Sequence, residues 1–352
     1  MSRIMIYGAT GYTARLATDH AQALALPLIL AGRTRATLSR LAASLDDAPY
    51  RVFDLDDHCT VVSALQEADT KVLLNCAGPF ASTAAPLIAA CIEAGGVHYL
   101  DISAELATYQ LAADRSDDAA AAGVMLLPGC GGSVAMLGCL AGHVLRRIES
   151  PTRIDIALRV AGPMSRGSVV SAAQGSMAGA AALQRRVGEL VPWQKETGEE
   201  ASSGQFDFDN GEGVGSCFPV TLPDLFAIWK STGVDNIRTY VCIAASGDAG
   251  FPEENNDNNM LPEGPSAEER EASPYHAAVV ATGPDGSLGR AVLHTVNGYT
   301  FTAMASVEAA RRVLEGEFIT GLQTPAMLFG NEFVETIPGS RLVDLHVGGT
   351  LS

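Results

Sequence analysis

The sequence predicts an α/β fold: a Rossmann-type doubly wound parallel sheet, followed by a second α+β domain with a mixed or antiparallel sheet. Three observations predict it. Short apolar runs alternate with helically spaced segments through the first third of the 352-residue chain, and a glycine turn joins the first run to the first helix. After Pro151 the runs change to a period of two, as in half-solvated antiparallel strands.

The expected parallel strands are 4–7, 28–31, 51–53, 71–75, 97–100 and 124–127. Leu38, Leu41 and Leu45, and then Leu87, Ile88, Cys91 and Ile92, have the spacing of buried helix faces. Residues 153–160, 237–244 and 289–305 alternate as strands of the second sheet, and a helix rich in Ala, Ser and Gly is expected from about 169 to 187. The domain reading is a dinucleotide-binding domain over 1–128 and a substrate and dimerisation domain over 129–306. The tail 307–352 is expected to pack back on the first domain. Residues 247–274 hold eight Asp or Glu against one Arg and read as a solvated acidic loop.

A net charge of −17 repels polyphosphates, so nucleic acid and anionic membranes are not expected partners. No Asp, Glu, Lys or Arg occurs from Ala119 to Val144, but Pro128-Gly129-Cys130-Gly131-Gly132 interrupts that stretch, which fits strand, loop and buried helix better than a membrane span. The seven cysteines form no CxxC pair and read as reduced thiols. Because the N-terminus enters a strand directly and shows no signal-peptide pattern, a cytoplasmic location is expected.

The first run leads into Gly8-Ala9-Thr10-Gly11-Tyr12-Thr13-Ala14. Gly8 permits a tight turn, Gly11 lets the backbone approach a pyrophosphate, and Ala14 lets the helix lie close to the sheet. Gly8, Thr10, Gly11, Tyr12 and Thr13 are therefore the expected phosphate-binding stretch, at a helix N-terminus suited to anions. Gly8→Val is expected to abolish dinucleotide binding in a chain that still folds. Where NAD-specific sites place a carboxylate after the second strand, this chain has Arg33-Thr34-Arg35. Arg33 can pair with a ribose 2′-phosphate with help from Thr34, so NADP(H) is the expected cofactor; Arg35 reads equally as a ligand or a surface residue. Asp54 can receive the adenine amino group or cap the helix that follows. Cys76, Ala77, Gly78 and Pro79 form a rigid turn at the carboxyl edge of the sheet, where ligands bind in such folds.

Tyr99, Asp101 and Glu105 follow the fifth strand and are the candidate catalytic residues, able to supply a proton or hold a polar substrate group. Each has a bland reading as well: core for Tyr99, helix cap for Asp101, first helical turn for Glu105. His98 faces the opposite side and reads as structural. Cys130 has no cationic neighbour to activate it, Ser165-Arg166-Gly167-Ser168 reads as an anion loop or a helix cap, and no histidine spacing suggests a metal.

Together these motifs resemble the saccharopine dehydrogenase-like oxidoreductases, which include saccharopine reductase, carboxynorspermidine dehydrogenase and trans-acting enoyl reductases. The resemblance is carried by Gly8–Thr13, Ala31-Gly32-Arg33, Asn75–Phe80, His98–Glu105 and Gly321–Ala326. It is dense over 4–130, sparse over 165–300, and nearest to the enoyl reductase-like branch. It implies hydride transfer from NADP(H) to a C=C or C=N bond of a small biosynthetic intermediate, in a protein expected to be a homodimer. An amino-acid-type dehydrogenase is an alternative, with Arg159, Arg166 and Arg238 as candidate carboxylate grips. The chain departs from the branch at Ala104, where Gly is usual, and at Pro128–Ser133, where a Gly-Phe-Asp turn is usual. These departures motivate a third reading, a catalytically silent NADP-binding regulator or scaffold.

Overall fold

The computed structural model describes residues 2–169, 182–193, 204–243 and 263–345. The chain divides into two compact units, residues 1–132 with 299–328, and residues 133–298 with 329–352.

The first unit alternates strand and helix: β1 (Arg3–Tyr7), α1 (Tyr12–Ala23), β2 (Leu28–Gly32), α2 (Arg35–Ala43), β3 (Tyr50–Val52), α3 (His58–Glu67), β4 (Thr70–Asn75), α4 (Phe80–Ala94), β5 (His98–Asp101), α5 (Leu106–Asp114), α6 (Ser116–Ala121) and β6 (Met125–Leu127). All six expected strands form within a residue or two of their expected limits. Ile4, Met5, Ile29, Leu30, Leu73, Leu100 and Leu126 are buried, as continuous apolar runs must be in a sheet covered on both faces. With β15 (Gly321–Leu322) at one edge, the order is β15-β6-β5-β4-β1-β2-β3, and every pairing is parallel. The seventh strand, β15, pairs with β6 and is too short to carry a hydrophobic period. The connections reverse direction between β1 and β4, the switch point beside whose carboxyl ends ligands bind in open α/β sheets.

The second unit contains α7 (Gly132–Leu145, from Ser133 onward), β7 (Arg153–Val160), β8 (Leu183–Arg186), β9 (Glu189–Pro192), β10 (Gly204–Asp207), β11 (Val214–Pro219), α8 (Asp224–Thr232), β12 (Ile237–Ile243), α9 (Ala267–Glu271), β13 (Tyr275–Thr282) and β14 (Leu288–Thr295). Its sheet is mixed: β12 and β7 run parallel, whereas β7–β13, β13–β14 and β11–β12 are antiparallel.

Several expectations are corrected. The strand expected over 289–305 stops at Thr295, and a helix, α10 (Gly298–Leu314), begins three residues later. Thr300-Phe301-Thr302-Ala303-Met304-Ala305 alternates as a strand would, but Ala303 and Val307 lie one helical turn apart and pack on Ala17 and Ala21 of α1. That burial decides for helix and places α10 in the first unit. The tail does not return as a whole: α11 (Pro325–Phe329) straddles the division, and β16 (Arg341–Asp344) pairs with β14 in the second sheet. The helix expected over 169–187 is overturned at its end, where β8 and β9 form a hairpin around Val187-Gly188, both at positive φ; residues 170–181 lie outside the described residues. So does the acidic stretch up to residue 262. Beyond it, Ser266 and Glu269 form a capping box that starts α9, a local signal masked by the acidic composition. Among the described residues no helix is long and apolar enough to cross a membrane.

Candidate functional site

The carboxyl edge of the first sheet gathers most of the residues singled out from sequence. Gly8 ends β1 at φ +77°, and its N–H donates to the Ala31 carbonyl at 2.9 Å. A Cβ on Gly8 would lie 2.8 Å from the Ala77 Cβ and 2.9 Å from the Ala77 nitrogen. The glycine is therefore required by its own backbone angle and by the turn after β4, before any ligand is considered. Gly11 caps α1 without a side chain, and the first turn of α1 carries no acidic residue. Thr10, Tyr12 and Thr13 are half-buried beside it, and buried Ala14 lies one turn along.

Arg33 and Thr34 follow β2 and are exposed; Arg33 makes no ion pair among the described residues. Thr34 caps α2 through no side-chain bond. Exposed Asp54 follows β3, and its alternative role as a helix cap falls to Asp57, whose carboxylate accepts from the Thr60 N–H at 3.1 Å. Both Arg33 and Asp54 act electrostatically on Tyr7, which is buried at the end of β1 and stacks on Phe53 at 5.2 Å. Burial pushes the Tyr7 phenol up to about 12, with Arg33 lowering it and Asp54 raising it. The ends of β1, β2 and β3 thus bring one cation and one carboxylate together at the edge.

The turn Cys76-Ala77-Gly78-Pro79 is held by Asn75, which the sequence marks as part of this motif but not as a site residue. Its Oδ1 accepts from the Ala77 N–H at 3.0 Å, while its Nδ2 donates to Thr83 Oγ1 at 3.0 Å and to the Tyr99 hydroxyl at 3.2 Å. Thr83 in turn donates to the Ala77 carbonyl at 2.7 Å. Cys76 is half-buried, and desolvation, reinforced by Asp101, raises its thiol well above the ordinary range.

The three candidate catalytic residues sit in this same network. Tyr99 is fully buried; its hydroxyl donates to Asp101 Oδ2 at 2.9 Å and accepts from Asn75. Asp101, also fully buried, accepts from Tyr99, from the Ser103 N–H at 2.9 Å and from the Gly129 N–H at 2.7 Å. Burial raises its carboxyl to about 6 against the lowering effect of those three donors. Its backbone carbonyl also receives the Cys130 N–H at 2.9 Å. Glu105 reaches back 25 and 24 residues to accept the N–H groups of Phe80 at 3.0 Å and Ala81 at 2.8 Å. It closes the N-terminus of α4, the interaction that a carboxylate supplies best at that end of a helix. Tyr109 donates to the Ser103 carbonyl at 2.9 Å, and a Cβ on Gly129 (φ +60°) would fall on the Tyr109 hydroxyl. The β4, β5 and β6 turns are therefore one hydrogen-bonded block. In it α4 has its N-terminus filled by a carboxylate, whereas α1 has none.

His98 is buried away from this edge, as expected. Its Nδ1 accepts from the Met125 N–H at 3.1 Å, its ring lies 4.0 Å from that of Phe318, and burial together with Lys71 lowers it to about 4. Cys130 is buried, its Sγ donates to the Asp101 carbonyl at 3.1 Å, and desolvation raises its thiol well above the ordinary range, an environment that does not favour a thiolate. No cluster of three or more metal-ligating side chains occurs among the described residues.

In the second unit, Arg159 pairs with Glu212 at 2.5 Å and Arg238 donates to Gln184 at 3.1 Å, so both candidate carboxylate grips are engaged within the chain. The Arg166 side chain is exposed. Sequence reading also missed Asp224. It is fully buried at the start of α8, accepts from Ser133 Oγ at 3.0 Å, and leaves Oδ1 without a partner among the described residues. Burial raises its carboxyl to about 7, offset in part by Ser133. A carboxyl raised on folding stabilises less as pH climbs: the protonated folded form is favoured below about 4, and that advantage is lost on the way to about 7. Asp224→Asn, a neutral stand-in for the acid form, is therefore expected to fall less in melting temperature than the native chain between pH 5 and 8. Parallel melting curves across that range would contradict the burial of this group.

Fold and edge together define a class: a protein with a Rossmann-type parallel unit and a second, mixed-sheet unit. Comparison with known proteins agrees. The chain shares its fold with saccharopine dehydrogenase (L-Glu forming) from Saccharomyces cerevisiae, with a TM-score of 0.65, 12% identity and coverage of 98% of this chain and 100% of that one. In sequence it is 33% identical over 138 residues to a trans-acting enoyl reductase of Mycobacterium leprae, a match covering 36% of this chain and 32% of that protein. It is 30% identical over 135 residues to the enzyme of the same name from Mycobacterium tuberculosis, again covering 36% of this chain and 32% of the relative. The matched region thus spans about a third of these relatives. No family model matches the chain.

Proposed function

We propose that this protein is an NADP(H)-dependent reductase that transfers hydride to a C=C bond of a small enoyl substrate. The observation that carries the reading is the edge at the switch point: Gly8 and Gly11 lead into a helix with no carboxylate in its first turn, and Arg33 stands where an NAD-specific site would carry an acid. The donor set suits a dinucleotide phosphate, because an anion at the equivalent end of α4 would have to displace Glu105. The name of the matching mycobacterial relatives supports the choice of an enoyl substrate.

In this reading Gly8, Thr10, Gly11, Tyr12 and Thr13 hold the pyrophosphate at the start of α1. Arg33 and Thr34 hold the 2′-phosphate, Asp54 receives the adenine amino group, and Cys76 to Pro79 flank the nicotinamide. The bound cofactor supplies the hydride. Tyr99, Asp101 and Glu105 act as positioning residues. Their acceptors and donors are spent on Asn75, Gly129, Ser103 and the α4 N-terminus, which keeps the turn after β4 rigid against the ligand. The small intermediate, cytoplasmic location and homodimeric state expected from sequence belong to the same proposal.

Calorimetry tests the cofactor. NADPH is expected to bind at least tenfold more tightly than NADH, about 1.4 kcal/mol, and Arg33→Asp to reverse the order. Equal affinities, or an unchanged preference in the variant, would sink the assignment. A panel of enoyl thioesters and imines then tests the reaction: turnover of imines alone would favour the amino-acid-type dehydrogenase, and tight NADPH binding without turnover of either class the silent regulator.

A further inference from the structure

Strands β11 and β12 run antiparallel with Phe218 opposite Val241 and Pro219 opposite Tyr240. In the same register the Val220 N–H donates to the Thr239 carbonyl at 3.0 Å, which makes 220 and 239 a hydrogen-bonded pair. Such pairs alternate along an antiparallel ladder. Counting back, 218 and 241 form the next hydrogen-bonded pair, and the same register carried one step past it sets Cys217 opposite Cys242 at a non-hydrogen-bonded position. In that type of pair the Cα atoms approach to about 4.5 Å and the side chains lie side by side on one face. That separation is inside the range of about 4.4–6.8 Å that a disulfide spans.

The side chains agree with that register. Cys242 acts electrostatically on the Cys217 thiol, which donates to the Gly215 carbonyl of its own strand at 3.8 Å. Both cysteines belong to one buried cluster with Phe206, Phe208, Tyr240 and Ala278. Gly215, two residues back on β11, leaves room for the Cys242 sulfur: a Cβ there would lie 3.2 Å from Sγ. All seven cysteines are free thiols in this structure, and Cys59 is exposed while Cys217 and Cys242 are buried.

We propose that Cys217 and Cys242 form a redox site, a dithiol that closes to a cross-strand disulfide fastening β11 to β12. Closure removes two protons and two electrons from the thiols and passes them to a small oxidant, such as a low-molecular-weight disulfide or a diazene, which leaves as two thiols or a hydrazine. The bridge closes the loop that carries α8 and ties the β10–β11 hairpin to the rest of the second sheet. By restricting the unfolded chain it stabilises the folded one. The inference is independent of the reductase reading.

The test uses the intact chain with no substrate. Diamide is added until exposed Cys59 is consumed, remaining thiols are alkylated after denaturation, and the digest is read by mass spectrometry. The expected product is a peptide pair joined through Cys217 and Cys242, with a melting temperature several degrees higher that dithiothreitol returns to its starting value. Cys242→Ala should abolish both the linked peptide and the rise. Recovery of Cys217 and Cys242 as alkylated thiols once Cys59 has reacted, pairing of either with another cysteine, or a fall in melting temperature on bridging would each overturn the proposal.

Discussion

Gly8→Val is expected to lower the stability of the chain by roughly 2–6 kcal/mol, the sum of a side chain forced to positive φ and of overpacking against a fixed neighbour. A β-branched residue at φ +77° is strained whatever surrounds it, and the Cβ alone would approach Ala77 to less than 3.0 Å. Ala77 cannot retreat, because Asn75 and Thr83 grip its N–H and its carbonyl. This replaces the expectation from sequence that the variant would fold and merely fail to bind. Urea denaturation of the ligand-free protein checks it: a native midpoint in the variant would return Gly8 to a purely ligand-facing role.

Asp101→Ala is expected to cost about 3–9 kcal/mol. Three buried donors, the Tyr99 hydroxyl and the Ser103 and Gly129 N–H groups, lose their acceptor at once, and each unsatisfied group costs about 1–3 kcal/mol. Asp101→Asn keeps one carbonyl oxygen for the two N–H groups, and its amide can donate to Tyr99, whose hydroxyl accepts as readily as it donates. The expected order of stability is therefore native, then Asn, then Ala, with the larger step at the end. A chain in which Asp101 served chemistry alone would show native midpoints for both variants, and that outcome would restore the catalytic reading.

The parallel unit was legible because its signals are local. A continuous run such as Val72-Leu73-Leu74 can be buried only in a sheet covered on both faces, and the Gly8–Ala14 turn reports its own backbone needs. The absence of a carboxylate after β2 is likewise visible at a glance. Local reading misled where two periods coincide: Thr300 to Ala305 alternates as a strand would, and burial against α1 decided for helix. The Ser266–Glu269 capping box is hidden in the same way, because its spacing lies inside an acidic stretch.

The candidate site divides along the same line. Gly8, Gly11, Arg33, Asp54 and the Cys76–Pro79 turn could be named from sequence because each lies at the end of a strand whose limits were already set by hydrophobic pattern. What Tyr99, Asp101 and Glu105 do could not. Side-chain acceptors are satisfied by whichever donors lie nearest in space, and for Glu105 those are the first amides of a helix about 25 residues earlier in the chain. Asp224, buried against Ser133 some 91 residues away, left no trace in the linear order, nor did the register and buried cluster that bring Cys217 near Cys242. Hydrophobic period and turn chemistry act between neighbours and survive in the sequence; the desolvation and partnering of polar groups are set only when distant segments pack.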